Sequence, residues 1–218
     1  MRTRNLNRTT EALSRQTRSR PSGAALLAVA LLASACTTTG AQVPARVEKQ
    51  PGGFTIEEQA RFGLGDRSDF AEALELLREK AYPKAIALLV ELTESSLQLT
   101  AAHINLGIAY RETDEFEKAQ ASLERAVALN PRHPAAHNEL GIVHRRRGQF
   151  DEARASYEEA LDLFPEYHYA RRNLAILCDL FLADLACALE HYEIYVEAVP
   201  DDAEAAIWVA DLRNRAGR

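Results

Sequence analysis

No apolar run in this chain is long enough to cross a bilayer. The best candidate, Ala24 to Leu32, falls well short of the roughly 20 residues a transmembrane helix needs. Catalytic signatures are missing too. There is no Gly-rich phosphate loop, no Gly-x-Ser-x-Gly, no His-Glu-x-x-His and no Cys-x-x-Cys, so phosphoryl transfer, serine hydrolysis and zinc proteolysis have no local motif to run on. Carboxylates are plentiful, but Glu115, Glu117, Glu152, Glu158 and Glu159 fall on exposed helical positions and read as a solvated face. Among six histidines, His133 and His137 are four apart, yet Pro134 between them breaks the helix that would align them on one metal. His103, His137 and His144 occupy packing positions. The sequence predicts no catalytic residue, no metal and no cofactor. Strand signals are also lacking throughout.

Cysteine is scarce, with three in 218 residues, and the first decides where the protein goes. Arg2, Arg4, Arg8, Arg15, Arg18 and Arg20 precede the apolar run, and Ala33-Ser34-Ala35-Cys36 follows it. A basic start, a short apolar stretch and small residues make a secretory signal peptide over residues 1–35. Small residues immediately before a cysteine, with Leu31 and Leu32 upstream, resemble the lipobox of bacterial lipoproteins. That resemblance implies acylation at Cys36 and cleavage before it. Thr37, standing where an Asp would retain an enterobacterial lipoprotein at the inner membrane, implies the periplasmic face of an outer membrane. Ordinary cleavage after Ala35, which would leave a soluble periplasmic chain, is the alternative.

The first 35 residues carry six Arg and one Glu, so the remainder carries −11 against −6 for the whole. That balance argues against nucleic acid, whose binding relies on clustered cations. It also argues against electrostatic adhesion to anionic lipid, leaving the acyl chains as the expected membrane contact. Residues 36–54, with Thr37-Thr38-Thr39 and Pro51-Gly52-Gly53, show no apolar periodicity and predict a flexible tether. Thr55 and Glu58 fit a capping box, predicting a short helix that ends near Gly63 and Gly65.

Beyond residue 65 the chain repeats. Leu106, Leu140 and Leu174 stand 34 residues apart; Gly107 and Gly141, Ala119 and Ala153, Leu123 and Tyr157, Ala126 and Ala160, and Pro131 and Pro165 recur at the same interval. A fixed period of this length marks stacked supersecondary units. With Tyr110 three residues beyond Gly107, the pattern resembles the tetratricopeptide repeat, a helix-turn-helix unit. The resemblance implies an all-α solenoid across 55–218, with repeats at about 66–99, 100–133, 134–167 and 168–202 and a capping helix at about 203–215. The first repeat is degenerate: it keeps Ala85 but lacks the Leu-Gly pair and the closing Pro. In the fourth, Ala188, Tyr192, Tyr195 and Pro200 come 35 residues after their counterparts, so one residue is inserted between Asp179 and Leu185.

Cys178 and Cys187 flank that insertion. Antiparallel helices joined by a short turn bring such positions close, and an exported pair is often bridged; two buried free thiols are the alternative. The resemblance further implies a non-enzymatic scaffold whose first helices line a concave groove. Mapped onto this sequence, the groove is Ile104, Asn105, Ile108, Arg111, Asn138, Ile142, Arg145, Tyr169, Arg172 and Ile176. Arg145, Arg146, Arg147, Arg171 and Arg172 make the densest basic cluster, which suits a protein or peptide partner with an acidic or C-terminal segment; pairing of these arginines with the many nearby Glu residues is the alternative. The carboxylate clamp of chaperone-binding repeats is not reproduced, because Ile104, Ile108, Ala135 and Glu139 stand in its places. Small lipoproteins of this family imply further roles, in pilus assembly or beside a TonB/ExbB-type complex.

Overall fold

The computed structural model describes residues 46–50, 53–57 and 65–217. The signal peptide, Cys36 and most of the tether lie outside them. Nine helices follow a two-stranded hairpin among the described residues. Strand β1 (Arg46–Gln50) pairs antiparallel with β2 (Gly53–Glu57), Val47 opposite Ile56 and Glu48 opposite Thr55. This corrects two expectations: Thr55 lies in a strand rather than at a helix cap, and the end of the tether is paired. The overlooked signal is period-two alternation, Phe54 and Ile56 against Thr55 and Glu57, after a Pro-Gly pair.

From Asp66 the chain is helical hairpins. α1 (Asp66–Arg78) pairs with α2 (Tyr82–Ser95), α3 (Thr100–Glu112) with α4 (Phe116–Leu129), α5 (Pro134–Arg146) with α6 (Phe150–Leu163), and α7 (His168–Leu180) with α8 (Leu185–Ala198). α9 (Ala203–Arg215) closes the series against α8. Every first helix has 13 residues and every second helix of a pair has 14, so units stack in register. Each second helix touches its own first helix and the next one, and successive first helices touch one another. Among the described residues no second helix touches another. The first helices therefore form the tighter, inner layer of a solenoid and the second helices the outer layer.

Small residues set the spacing. Ala85, Ala119, Ala126, Ala153, Ala160 and Ala188 are all fully buried, where any longer side chain would separate the layers. Gly107 and Gly141 go further. A Cβ added to Gly141 would lie 2.6 Å from Cε1 and 2.7 Å from Cδ1 of Tyr157, whose ring is itself fully buried. Gly141→Ala is expected to cost about 1–3 kcal/mol, read as a lowered urea midpoint; an unchanged midpoint would show that the ring yields freely.

Turns within pairs repeat as faithfully as the helices. In the first three, the second of three linking residues takes a left-handed conformation: Lys80 (φ 59°), Asp114 (φ 60°) and Gly148 (φ 76°). The N–H of the next residue then returns to a carbonyl five residues back, as with Glu115 to Tyr110 at 2.8 Å and Gln149 to His144 at 2.9 Å. The fourth turn has one residue more, Phe181 to Asp184, and its left-handed residue is Ala183 (φ 52°). It is closed by Leu182 N–H to Leu177 O at 3.1 Å and Asp184 N–H to Cys178 O at 2.9 Å. Asp184 caps α8 by accepting from Cys187 N at 3.1 Å. A disulfide joins Cys178 to Cys187 across this turn, with Cα atoms 5.9 Å apart.

Candidate peptide-binding groove

Residues spaced by three or four share one face of a helix. Ile104, Ile108 and Arg111 make one such row on α3, Asn138, Ile142 and Arg145 the next on α5, and Arg172, Ile176 and Asp179 the third on α7. Because these helices form the inner layer, the rows stack side by side.

Not every residue of a row is free to meet a ligand. Ile104 is 6% exposed and packs among Ala119, Leu123, Ala136 and Leu140. Asn138 is buried: its Oδ1 accepts from Asn173 Nδ2 at 2.9 Å, and its Nδ2 donates to Glu139 Oε1 at 3.3 Å. These two positions, which the family resemblance assigns to the groove, pack where one unit meets the next. Asn105 donates back to its own helix, at Ala101 O, 2.7 Å away. Ile108, Ile142 and Ile176 are partly buried and form the aliphatic floor. Tyr169 is 53% exposed and meets the Tyr167 ring edge-on at 6.2 Å.

The arginines divide sharply. Arg111 bonds Glu139 and also Glu112, whose Oε1 lies 2.7 Å from its Nη2. Burial alone would lower the Arg111 pKa, but these carboxylates outweigh it and hold it above the ordinary value. For Glu139 the balance reverses: burial is the larger influence and raises its pKa despite Arg111. Arg146 pairs with Asp114 at 3.0 Å and covers the Phe116 ring. Arg147 pairs with Glu117 at 3.4 Å. Arg171 donates to Pro165 O at 2.6 Å and lies 3.3 Å from His191 Nδ1. The basic cluster is thus dispersed. Arg172 stacks over Trp208, 5.1 Å from the ring centre, with Asp202 at 3.8 Å.

Arg145 is the exception. Among the described residues no carboxylate lies within 4 Å of it; its buried Nε, like that of Arg172, has no hydrogen-bond partner. The Tyr157 hydroxyl lies buried beside it, close enough for Arg145 to act on its ionisation. Burial pushes the Tyr157 pKa up to about 12, and Arg145 offsets only part of that rise. Beneath the guanidinium lies the Phe181 ring, 5.5 Å from centre to centre. Spacing missed Glu139, Tyr157 and Phe181. For Phe181 the signal was that it stands one repeat after Arg147, an apolar residue at a position otherwise polar.

Among the described residues no group of three or more His, Cys, Asp or Glu side chains could hold a metal. The arrangement offers shape, apolar surface and one available cation, which are the means of binding.

Comparison with known proteins agrees on the architecture. Residues 104–168 and 140–179 match the tetratricopeptide repeat family. TTC0263, a thermophilic repeat protein from Thermus thermophilus, is 25% identical with a TM-score of 0.59, over 67% of this chain and 80% of that one. MamA (41 to end) from Desulfovibrio magneticus RS-1 is 18% identical with a TM-score of 0.64, over 72% and 88%. PilF of Pseudomonas aeruginosa is 21% identical with a TM-score of 0.64, over 70% and 69%. No curated protein matches the chain.

Proposed function

Because this chain belongs to the tetratricopeptide repeat family, we propose that it is a non-enzymatic scaffold that holds a segment of another protein against its first-helix face, at the surface of a bacterial envelope membrane. The observation that carries the binding reading is the inner layer itself. Ile108, Ile142 and Ile176, one on each of three successive first helices, are partly exposed there, and among the described residues no carboxylate lies within 4 Å of Arg145. Burying such side chains is favourable at about 25 cal/mol per Å² of apolar surface, and an arginine fixes register by bidentate bonding. The anchoring reading rests on the residues before Cys36. Acylation there would hold the solenoid at the outer membrane, facing the periplasm.

Two measurements test these parts separately. A photo-crosslinking amino acid at Ile142 should yield adducts with another protein in living cells, whereas one at exposed Glu124, on the outer layer, should not. The same adducts at both positions would overturn the groove. Metabolic palmitate labelling should be present in the native chain and lost in Cys36→Ala; label retained in that variant, or absent from the native chain, would overturn the anchor.

A further inference from the structure

The extended turn of the fourth unit has no equivalent in the other three. Leu180 and Phe181 stand where earlier units place Arg146 and Arg147, and before them Glu112 and Thr113. Leu180 is 68% exposed and Phe181 40% exposed, a large apolar pair displayed at a position the solenoid otherwise keeps polar. Loops that expose such residues for no purpose are disfavoured, because exposed apolar surface invites aggregation.

This turn is also held still. Two backbone hydrogen bonds close it, Asp184 caps the following helix, and the disulfide ties its two ends together. Arg154 reinforces the cap from the neighbouring unit, bonding Asp184 Oδ2 at 3.2 Å. Phe181 meets the Phe150 ring at 5.0 Å on one side and carries Arg145 on the other. Ordering a loop before binding removes an entropic cost that a mobile loop would incur on binding.

We propose that Leu180, Phe181 and Arg145 together form the specificity site of the groove, and that it takes an acidic side chain, Asp or Glu, flanked by large apolar residues of an extended partner segment. The inference rests on the groove reading above and adds the chemistry of the occupant. Charge complementarity selects the carboxylate. Arg111, Arg146 and Arg147 already have one within 4 Å and Arg172 has Asp202 nearby, but Arg145 has none. Phe181 lies against the guanidinium at 5.5 Å, and no carboxylate among the described residues occupies its fork, which can pair with a carboxylate through two hydrogen bonds. Apolar residues border the site on both sides. Ile176 and Leu180, four apart on α7, share one face, while Ile142 precedes Arg145 on α5. A segment gripped there runs past the arginine in both directions, which favours an internal acidic residue over a chain terminus. Aromatic residues and arginine dominate binding energy where they are backed by packed neighbours.

The test uses the whole chain from Cys36 onward with its disulfide intact. A phage library of random dodecapeptides is selected on the immobilised protein, and the winner is synthesised with blocked ends in a Glu (or Asp) form and its amide counterpart. Selected peptides should share an acidic residue with a large apolar neighbour. Arg145→Gln should weaken the acidic peptide about tenfold and leave the amide peptide unchanged. Leu180→Ser should weaken both, and Arg145→Lys should retain part of the preference for the acid. Circular dichroism and melting temperature establish that each variant is folded. Selected peptides without an acidic residue, no selectable peptide, or Arg145→Gln weakening both forms equally would overturn the proposal. Persistence of the Ile142 crosslink in Arg145→Gln/Leu180→Ser cells would then show that the groove reading survives without it. A free C-terminal carboxylate is ruled in, against the proposal, if unblocking the peptide restores binding that the Glu-to-Gln change removed.

Discussion

Replacing Arg111 with Met is expected to destabilise the solenoid by about 3 kcal/mol at pH 7, although Arg111 lies at a groove and not in a core. Its partner Glu139 belongs to the next unit, and both side chains keep little exposure, 18% and 16%. Removing one member of a buried pair leaves the other charge uncompensated, typically at 3–5 kcal/mol; the residual exposure here sets the lower end. Glu139 already has a raised pKa because burial outweighs Arg111. A carboxyl whose folded pKa is raised weighs against the fold above its unfolded value and is relieved as pH falls. The Arg111→Met deficit should therefore shrink on acidification, as the stranded Glu139 takes up a proton. Glu139→Gln should cost far less, since Arg111 keeps Glu112. Combining Arg111→Met with Glu139→Gln should restore most of the loss. Urea midpoints of the four proteins measure the cycle. An Arg111→Met chain within about 0.5 kcal/mol of the parent would show that the pair contributes nothing to holding units together.

The repeat was legible because its demands are severe at few positions. Where two helices approach closely enough that a Cβ on Gly107 would meet Leu123 Cγ at 2.5 Å, only glycine fits, so the requirement is written one period apart, at Gly107 and Gly141. The inserted residue was legible for the same reason: it displaces Ala188 and Tyr192 together. The hairpin at 46–57 was not. Strands of five residues offer two or three alternations each, and Thr55 with Glu58 supplied a competing helix signal that the pairing of Thr55 with Glu48 overrides.

The family resemblance placed the candidate groove on the first helices, which form the inner layer, but could not sort its members. Ile104 and Asn138 occupy the same position in consecutive units, and that position is consumed where one first helix meets the next. The fate of each arginine was hidden because its partner lies a repeat away: Glu139 for Arg111, Asp114 for Arg146. Composition shows that acids are plentiful, whereas only the stacking shows that none among the described residues reaches Arg145.

Spacing weighs His133 only as a metal ligand and misses its place at a helix end, where it should make the solenoid acid-sensitive. It is the N-cap of α5: its ring Nδ1 accepts from Ala136 N at 3.2 Å, a role usually filled by Asn, Asp, Ser or Thr. The side chain is buried, 8% exposed, and burial chiefly lowers its pKa from 6.5 to about 4. Protonation would destroy the acceptor and place a cation at the positive end of a helix dipole. In the unfolded chain the same ring takes a proton near pH 6.5, so the unfolded state binds more protons between that value and about 4. Stability is then complete above pH 6.5 and falls as pH drops through this window. Each pKa unit corresponds to about 1.36 kcal/mol, which makes the total about 3 kcal/mol. His103, His168 and His191 shift in the same direction, also mainly through burial, so the parent's slope reflects all four. His133→Asn isolates one of them, because asparagine keeps the cap acceptor and cannot titrate. Its urea midpoint should fall less steeply than the parent's between about pH 7 and about pH 4.5. Parallel slopes would mean that His133 is protonated in the folded solenoid as readily as in the unfolded chain, and that its cap bond is dispensable.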